Sequence, residues 1–132
     1  MKKPLLLEIL FVVVLIAVLH QMALSLFLYW TTSWFDIMMH TLGGFWLGIL
    51  FIFILFTSGY FPFPNKPKLM VLVVVLSLVL VVGLGWELWE IFVGFTNVLR
   101  DQVDTALDLV MDLIGGNLAL LYSKKYLWKT EN

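Results

Sequence analysis

Three short patches of this chain carry side chains that can do chemistry. They are Asp36-x3-His40, Glu87-x2-Glu90 and Asp101-x2-Asp104-Thr105-x2-Asp108-x3-Asp112. Together they hold seven of the nine acidic residues and one of the two histidines. Carboxylates and imidazoles bind cations, and they give and take protons. Bare carboxylates packed together repel one another and cannot all stay ionised, so a counter-charge is required. Arg100 is the only lysine or arginine near them in sequence, which leaves protons and metal ions. Hard divalent cations take oxygen ligands, and a histidine widens the set to Zn2+, Mn2+ or Fe2+. A Glu-x2-Glu pair opposite an Asp-x3-Asp stripe also follows the way helical bundles build carboxylate metal sites. The expected cofactor is a divalent metal ion, with Mg2+, Mn2+, Ca2+ and Zn2+ all open. Its candidate ligands are Asp36, His40, Glu87, Glu90, Asp104, Asp108 and Asp112; His40 and Glu90 are the candidate catalytic acid or base.

The rest of the chain is made for lipid. Hydrophobic residues make up 62% of the 132, far above a soluble globular domain. That length suits one transmembrane domain over residues 1–132. The net charge of −1 gives a nucleic-acid partner no electrostatic support. With no cysteine, disulfides and thiolate metal sites are excluded. Four apolar runs, Leu5–Tyr29, Phe35–Thr57, Leu69–Gly94 and Val103–Tyr122, are each long enough for the ~20 residues that cross a bilayer core. The expected fold is an all-α membrane protein, a four-transmembrane-helix bundle. Lys2 and Lys3 precede the first run, but its apolar part is too long for a signal-peptide core and no small-x-small site follows it. It reads as a retained helix.

Basic residues give the orientation. Lys2 and Lys3, Lys66 and Lys68, and Lys124, Lys125 and Lys129 fall on one side of an even-pass chain, and Arg100 falls on the other. Both termini are therefore expected in the cytoplasm, in the cytoplasmic membrane of a bacterium or archaeon. Aromatic belts agree: Tyr29, Trp30 and Trp34 at the outer ends; Tyr60, Phe61, Tyr122, Tyr126 and Trp128 at the inner ends. The proline-rich stretch Phe61–Lys68 reads as a short, stiff inner loop.

This topology brings the polar patches together. At 1.5 Å per residue, Glu87 lies about 28 Å above Lys68, while Asp104, Asp108 and Asp112 lie about 30, 24 and 18 Å above Lys124. Asp36 and His40 start the second helix at the same outer level. Spacings of i, i+4 in Asp36/His40, i, i+3 in Glu87/Glu90 and i, i+3, i+7, i+11 from Asp101 put one acidic stripe on each helix. Such stripes face a bundle interior or a water-filled pocket, because intramembrane charge is expensive.

Plainer roles compete at several positions. Asp36 and Asp104 also fit as helix N-caps. Asp101 and Arg100 read as headgroup-level charges, His20 as an interfacial hydrogen-bonded histidine, and Trp86 and Trp89 as packing or interface residues. Gly43-Gly44, Gly48, Gly83, Gly85 and Gly115-Gly116 sit beside the patches and let helices approach closely. Gly44 and Gly48 also offer a route to a homo-oligomer.

The order Asp36-x3-His40-x2-Gly43, Glu87-Leu-Trp-Glu90 and Asp101-Gln-Val-Asp-Thr-x2-Asp108 with Gly115 resembles the YjdF-like family of bacterial inner-membrane proteins, and more distantly VanZ-like membrane proteins. The likeness covers about Phe35 to Leu120, and the Asp-Gln-x-Asp-Thr-x2-Asp string is its most specific part. This chain departs from the pattern in having Ile91 where many members carry an aromatic residue, and larger members have further helices. The resemblance implies a polytopic membrane protein with a shared polar site and implies no particular reaction. Three function classes follow from the residues. One is a metal-dependent hydrolase or phosphatase acting on a membrane lipid headgroup. The second is a proton or cation transporter, and the third an accessory scaffold. The almost purely apolar inner halves of the helices favour a one-sided site over a channel.

If seven basic residues lie inside, an impermeant thiol reagent applied to intact cells should label a cysteine placed at Thr32 or Asn97 and spare one at Asn65 or Thr130. Labelling of the second pair would overturn the topology and the depth argument built on it.

Overall fold

The structure is a computed structural model and describes residues 3–61, 67–95 and 101–128. The elements run α1 (Lys3–Ser25), α2 (Leu28–Thr31), α3 (Ser33–Ile52), which continues as a π-helical turn over Phe53–Thr57, α4 (Lys68–Val93) and α5 (Gln102–Leu127). No strand occurs among the described residues. Four of the helices are long and apolar enough to cross a membrane, as the four runs predict. Within lipid a helix satisfies its own backbone polar groups, so what remains to be settled is which side chains face inward.

The inward stripes follow helical spacing. On α4 the buried residues are Val71, Val75, Val79, Gly83 and Glu87, an unbroken i, i+4 row. On α5 they are Asp108, Asp112, Gly115, Gly116, Ala119, Leu120, Ser123 and Leu127. On α3 the row passes from Phe35, Met39 and His40 through Gly44 and Gly48 to Ile52. All three stripes change character at the same level: aliphatic in the half that carries the termini, then glycine, then ionisable. Val71, Val75, Val79, Ile52, Phe56, Leu120 and Leu127 fill the half near the termini. Leu5, Ile9, Ile49 and Ala119 join α1 to it, and the Trp46 indole donates to the Ile9 carbonyl at 3.1 Å. At the opposite end, Ala23, Phe35 and Met39 pack with Tyr29 and Leu28.

Glycine permits the closest helix contact, between α3 and α5. A Cβ at Gly44 would fall on the Asp112 backbone, and one at Gly115 would fall on the Thr41 carbonyl. Side chains cannot be accommodated where two backbones meet, so these positions set the helix separation. Gly48 faces Ala119 and Gly116 within the same chain.

Several boundaries differ from the sequence reading. The first helix ends at Ser25, not Tyr29, because Phe27 adopts a left-handed conformation (φ 58°). No glycine or proline marks that break, and a bulky residue rarely adopts this geometry. The chain then makes the single turn α2 and enters α3 at Ser33, two residues before Phe35. Asp36 therefore lies within the first turn of α3, whose N-cap is Thr32, and the capping alternative for Asp36 falls away. The same holds for Asp104, since Asp101 occupies the N-cap of α5. The fourth helix runs to Leu127 rather than Tyr122; lysines in a last turn are favourable there. α4 ends at Gly94 (φ 83°), with Phe95 N–H donating to the Glu90 carbonyl and Gly94 N–H to Ile91, a glycine-terminated helix end. The loop Phe61–Lys68, Arg100 and Lys129 fall wholly or partly outside the described residues.

Gly44→Ala and Gly115→Ala should each destabilise the folded protein by about 1–3 kcal/mol or more, as overpacking against backbone does. Gly43→Ala meets open space and should be neutral or gain up to about 1 kcal/mol from helix propensity. Unfolding in detergent, followed by circular dichroism, checks the contrast between neighbouring positions.

Candidate metal centre

His40 stands at the centre of the ionisable region. It comes from α3, one turn after Asp36, and its ring reaches across to α4 and α5. Its Nε2 lies 3.8 Å from Asp36 Oδ1, 3.9 Å from Glu87 Oε1 and 3.9 Å from Asp108 Oδ2. Its Nδ1 lies 3.3 Å from Asp112 Oδ1, within hydrogen-bonding reach. Four carboxylates from three helices thus surround one imidazole.

Burial is graded across the group. His40 is 8% exposed, Glu87 and Asp108 3% and Asp112 4%, whereas the Asp36 side chain is 33% exposed. Glu90 is half-buried and Asp104 exposed. The sequence candidates therefore separate into two sets. His40, Glu87, Asp108 and Asp112 share one buried cluster, with Asp36 as its partly exposed member. Glu90 and Asp104 stand at its rim rather than among the closest contacts. The Trp86 indole donates to Glu90 Oε1 at 2.8 Å and fixes that rim carboxylate; the i, i+4 spacing of the pair is visible in sequence, but the sequence reading gave Trp86 only a packing or interface role.

The distances matter chemically. A contact of 3.8–3.9 Å between nitrogen and carboxylate oxygen is too long for a hydrogen bond. It fits two ligands of one divalent ion, which stand about 3–4.5 Å apart when each is ~2.0–2.4 Å from the metal. Asp36, His40 and Asp108 each offer a ligand atom, all within 4.8 Å of one another. Both oxygens of Glu87 and Oδ1 of Asp108 are buried and make no hydrogen bond of ordinary geometry, although the Thr105 side chain is the donor on hand beside Glu87. Buried carboxylate oxygens left in that state are costly, and a cation among them would remove the cost. Gly83 contributes space: a Cβ there would collide with Asp112 Oδ2.

Tyr29 is a neighbour that sequence reasoning placed only in the aromatic belt. The turn after Phe27 folds it back so that its hydroxyl lies 2.8 Å from His20 Nδ1, and its ring meets Phe35 edge-on at 5.6 Å. Burial first, then the negative charges of Asp36 and Glu90, push the Tyr29 phenol up to about 12. A protonated phenol can donate or accept, so which of the two atoms carries the hydrogen follows the His20 tautomer. His20 is thereby a hydrogen-bonded histidine, as its interfacial reading implied. No sequence signal for the pair existed without the unforeseen turn.

Asp36→Asn removes one of the charges that raise Tyr29. Its titration should move down from about 12 toward the ordinary 10.0 without reaching it, because burial is the larger cause. Ultraviolet titration of wild type against Tyr29→Phe isolates this one phenol. Titration of wild-type Tyr29 near 10.0 would contradict its half-buried placement beside Asp36 and Glu90.

No curated protein matches this chain. No solved structure matches it either. A family described as "Predicted membrane protein (DUF2238)" matches residues 2–129, nearly the whole chain and all four spans. That agrees with four apolar helices and with the YjdF-like resemblance of the motifs, since YjdF-like is the usual name of this family. The chain belongs to the DUF2238 family of membrane proteins.

Proposed function

We propose that this protein binds a divalent metal ion in the half of the membrane opposite its termini. The ligands are Asp36, His40 and Asp108, with Glu87 facing the same nitrogen. One observation carries the reading: Glu87 Oε1 and Asp108 Oδ2, on almost wholly buried carboxylates, face His40 Nε2 at metal-ligand rather than hydrogen-bond spacing, and the Glu87 oxygens and Asp108 Oδ1 make no hydrogen bond of ordinary geometry. Asp36 is the partly exposed member, and Asp104 and Glu90 extend the negative field outward. A graded acidic mouth of this kind raises the local concentration of cations and steers them inward.

Metal-assisted hydrolysis of a lipid headgroup bond is the second reading, with membrane lipid as partner. It is favoured by the one-sidedness of the site. The clusters around Val75 and Ile49 close the bundle on the other side, which suits a binding or catalytic site better than a transport path. A bound dication would polarise the scissile bond and acidify a water. In this reading Glu90, held by Trp86 at the rim, would take that proton, and His40 would be a ligand of the ion. Charge weighs against a phosphate substrate: four ionised carboxylates with one dication remain net negative, and phosphate sites ordinarily recruit arginine or lysine.

A ligand that binds only the folded state stabilises it, by about 2.7 kcal/mol at a hundredfold excess over Kd. The full chain purified in detergent should retain one divalent ion by elemental analysis. Chelation at neutral pH should lower its melting midpoint, and metal should restore it. Asp108→Asn, which removes a ligand charge and keeps the volume, should shrink the difference. Equal midpoints for stripped and loaded wild type, with no ion retained, would leave a proton-shared carboxylate cluster in place of a metal site. For the second reading, proteoliposomes carrying the metal-loaded chain should release a water-soluble headgroup. Glu90→Gln should cut that rate by ~10^2-fold or more with metal content unchanged; no release from any lipid tested would leave a binding protein.

A further inference from the structure

Three carboxylates, two of them buried, approach one nitrogen of His40, and the fourth approaches the other. Nε2 faces Asp36, Glu87 and Asp108, while Nδ1 faces Asp112 alone. Asp112 is fixed on two sides. Its backbone is pressed against Gly44, and its Oδ2 occupies space that Gly83 leaves free. An ionised carboxylate can only accept, so the hydrogen-bonded arrangement puts the ring hydrogen on Nδ1. The neutral ring then turns its Nε2 lone pair toward the other three carboxylates. A hydrogen on Nε2 would have no acceptor there, because all three oxygens lie at 3.8–3.9 Å.

We infer that Asp112 is not a metal ligand but the residue that makes His40 one, and that the resulting set of one nitrogen and three carboxylates selects a divalent transition ion over Mg2+ and Ca2+. This deepens the metal reading and rests on it. It moves Asp112 from the candidate ligands to a positioning role. Imidazole favours Zn2+, Fe2+ and Mn2+, whereas Mg2+ and Ca2+ favour oxygen throughout. A carboxylate on the outer nitrogen of a ligating histidine fixes its tautomer and strengthens it as a ligand, and losing that partner typically costs 10–100-fold in affinity. Glu87 Oε1, buried without a hydrogen bond of ordinary geometry and 3.9 Å from Nε2, marks the ion-facing side of the ring.

Gly83 separates position from charge. In Gly83→Ala the Asp112 carboxylate is still present but displaced, because the new Cβ falls on Oδ2. Gly43→Ala, which meets open space, is the control.

The test uses the full chain in detergent, titrated with Zn2+, Mn2+, Mg2+ and Ca2+, with pulsed electron paramagnetic resonance of bound Mn2+ to detect a coupled imidazole nitrogen. Circular dichroism first confirms that each variant keeps wild-type helix content. Zn2+ should bind tightest and Mn2+ next, with Mg2+ and Ca2+ at least about tenfold weaker than Mn2+. Bound Mn2+ should show nitrogen coupling. Asp112→Asn and Gly83→Ala should each weaken Zn2+ and Mn2+ by about 10–100-fold and keep the coupling; Gly43→Ala should do neither. His40→Gln should abolish the coupling and level the selectivity. Mg2+ or Ca2+ binding as tightly as Mn2+, or bound Mn2+ without nitrogen coupling, would overturn the selectivity while leaving a metal site. Wild-type affinity in folded Asp112→Asn would overturn the positioning role. Failure of all four ions to bind would remove the metal reading on which both rest.

Discussion

Charge buried away from water must be compensated where it stands, and this bundle places four carboxylates around one imidazole. The rest of the architecture can be read as what that concentration requires. Asp36, His40, Glu87, Asp108 and Asp112 meet only because α3 and α5 touch backbone to backbone at Gly44 and Gly115, and because Gly83 on α4 leaves room for the Asp112 carboxylate. Larger residues at those positions would hold the helices apart and lengthen the His40–Asp112 contact of 3.3 Å. The aliphatic half of the bundle supplies the rigid part. Val71, Val75 and Val79 continue on the same row as Gly83 and Glu87, so the packing that orients α4 also orients its glutamate.

The sequence shows the four spans because each is long, apolar and bounded by basic or aromatic residues. It also shows the acidic stripes, because helical spacing fixes which carboxylates share a face. Depth counted from Lys68 and Lys124 is enough to bring Glu87 and Asp108 to one level. Other features depend on information that local pattern does not carry. The break at Phe27 has no glycine or proline to announce it, and with it went the placement of Tyr29 against His20. Whether Asp36 and Asp104 cap their helices turns on where each helix begins, a matter of one turn. Asp101 and Thr32 take the caps, which frees Asp36 for the cluster. The proposed division between ligand and orienting carboxylate rests on which ring nitrogen each one meets, and spacing along a helix is silent on that.

Membership in a family of membrane proteins fixes the setting and leaves the chemistry to the site. The graded burial from Asp104 and Glu90 through Asp36 to Glu87 and Asp108 gives the site a mouth and a floor. Apolar packing around Ile52, Val75 and Leu120 closes the floor. Such a shape would hold the proposed ion and expose it to one side. It also limits what that ion can meet, since a net negative surround repels anionic substrates and admits cations or neutral groups.

The central claim is that a metal ion, rather than a proton, joins these carboxylates to His40. Anomalous X-ray scattering from crystals of the full chain grown with Mn2+ or Zn2+ addresses it most directly. The account predicts one anomalous peak about 2.0–2.4 Å from His40 Nε2 and from oxygens of Asp36 and Asp108, with Asp112 on Nδ1 outside the coordination sphere. A cluster without a peak, in which His40 Nε2 closes to hydrogen-bonding distance of one carboxylate, would contradict it.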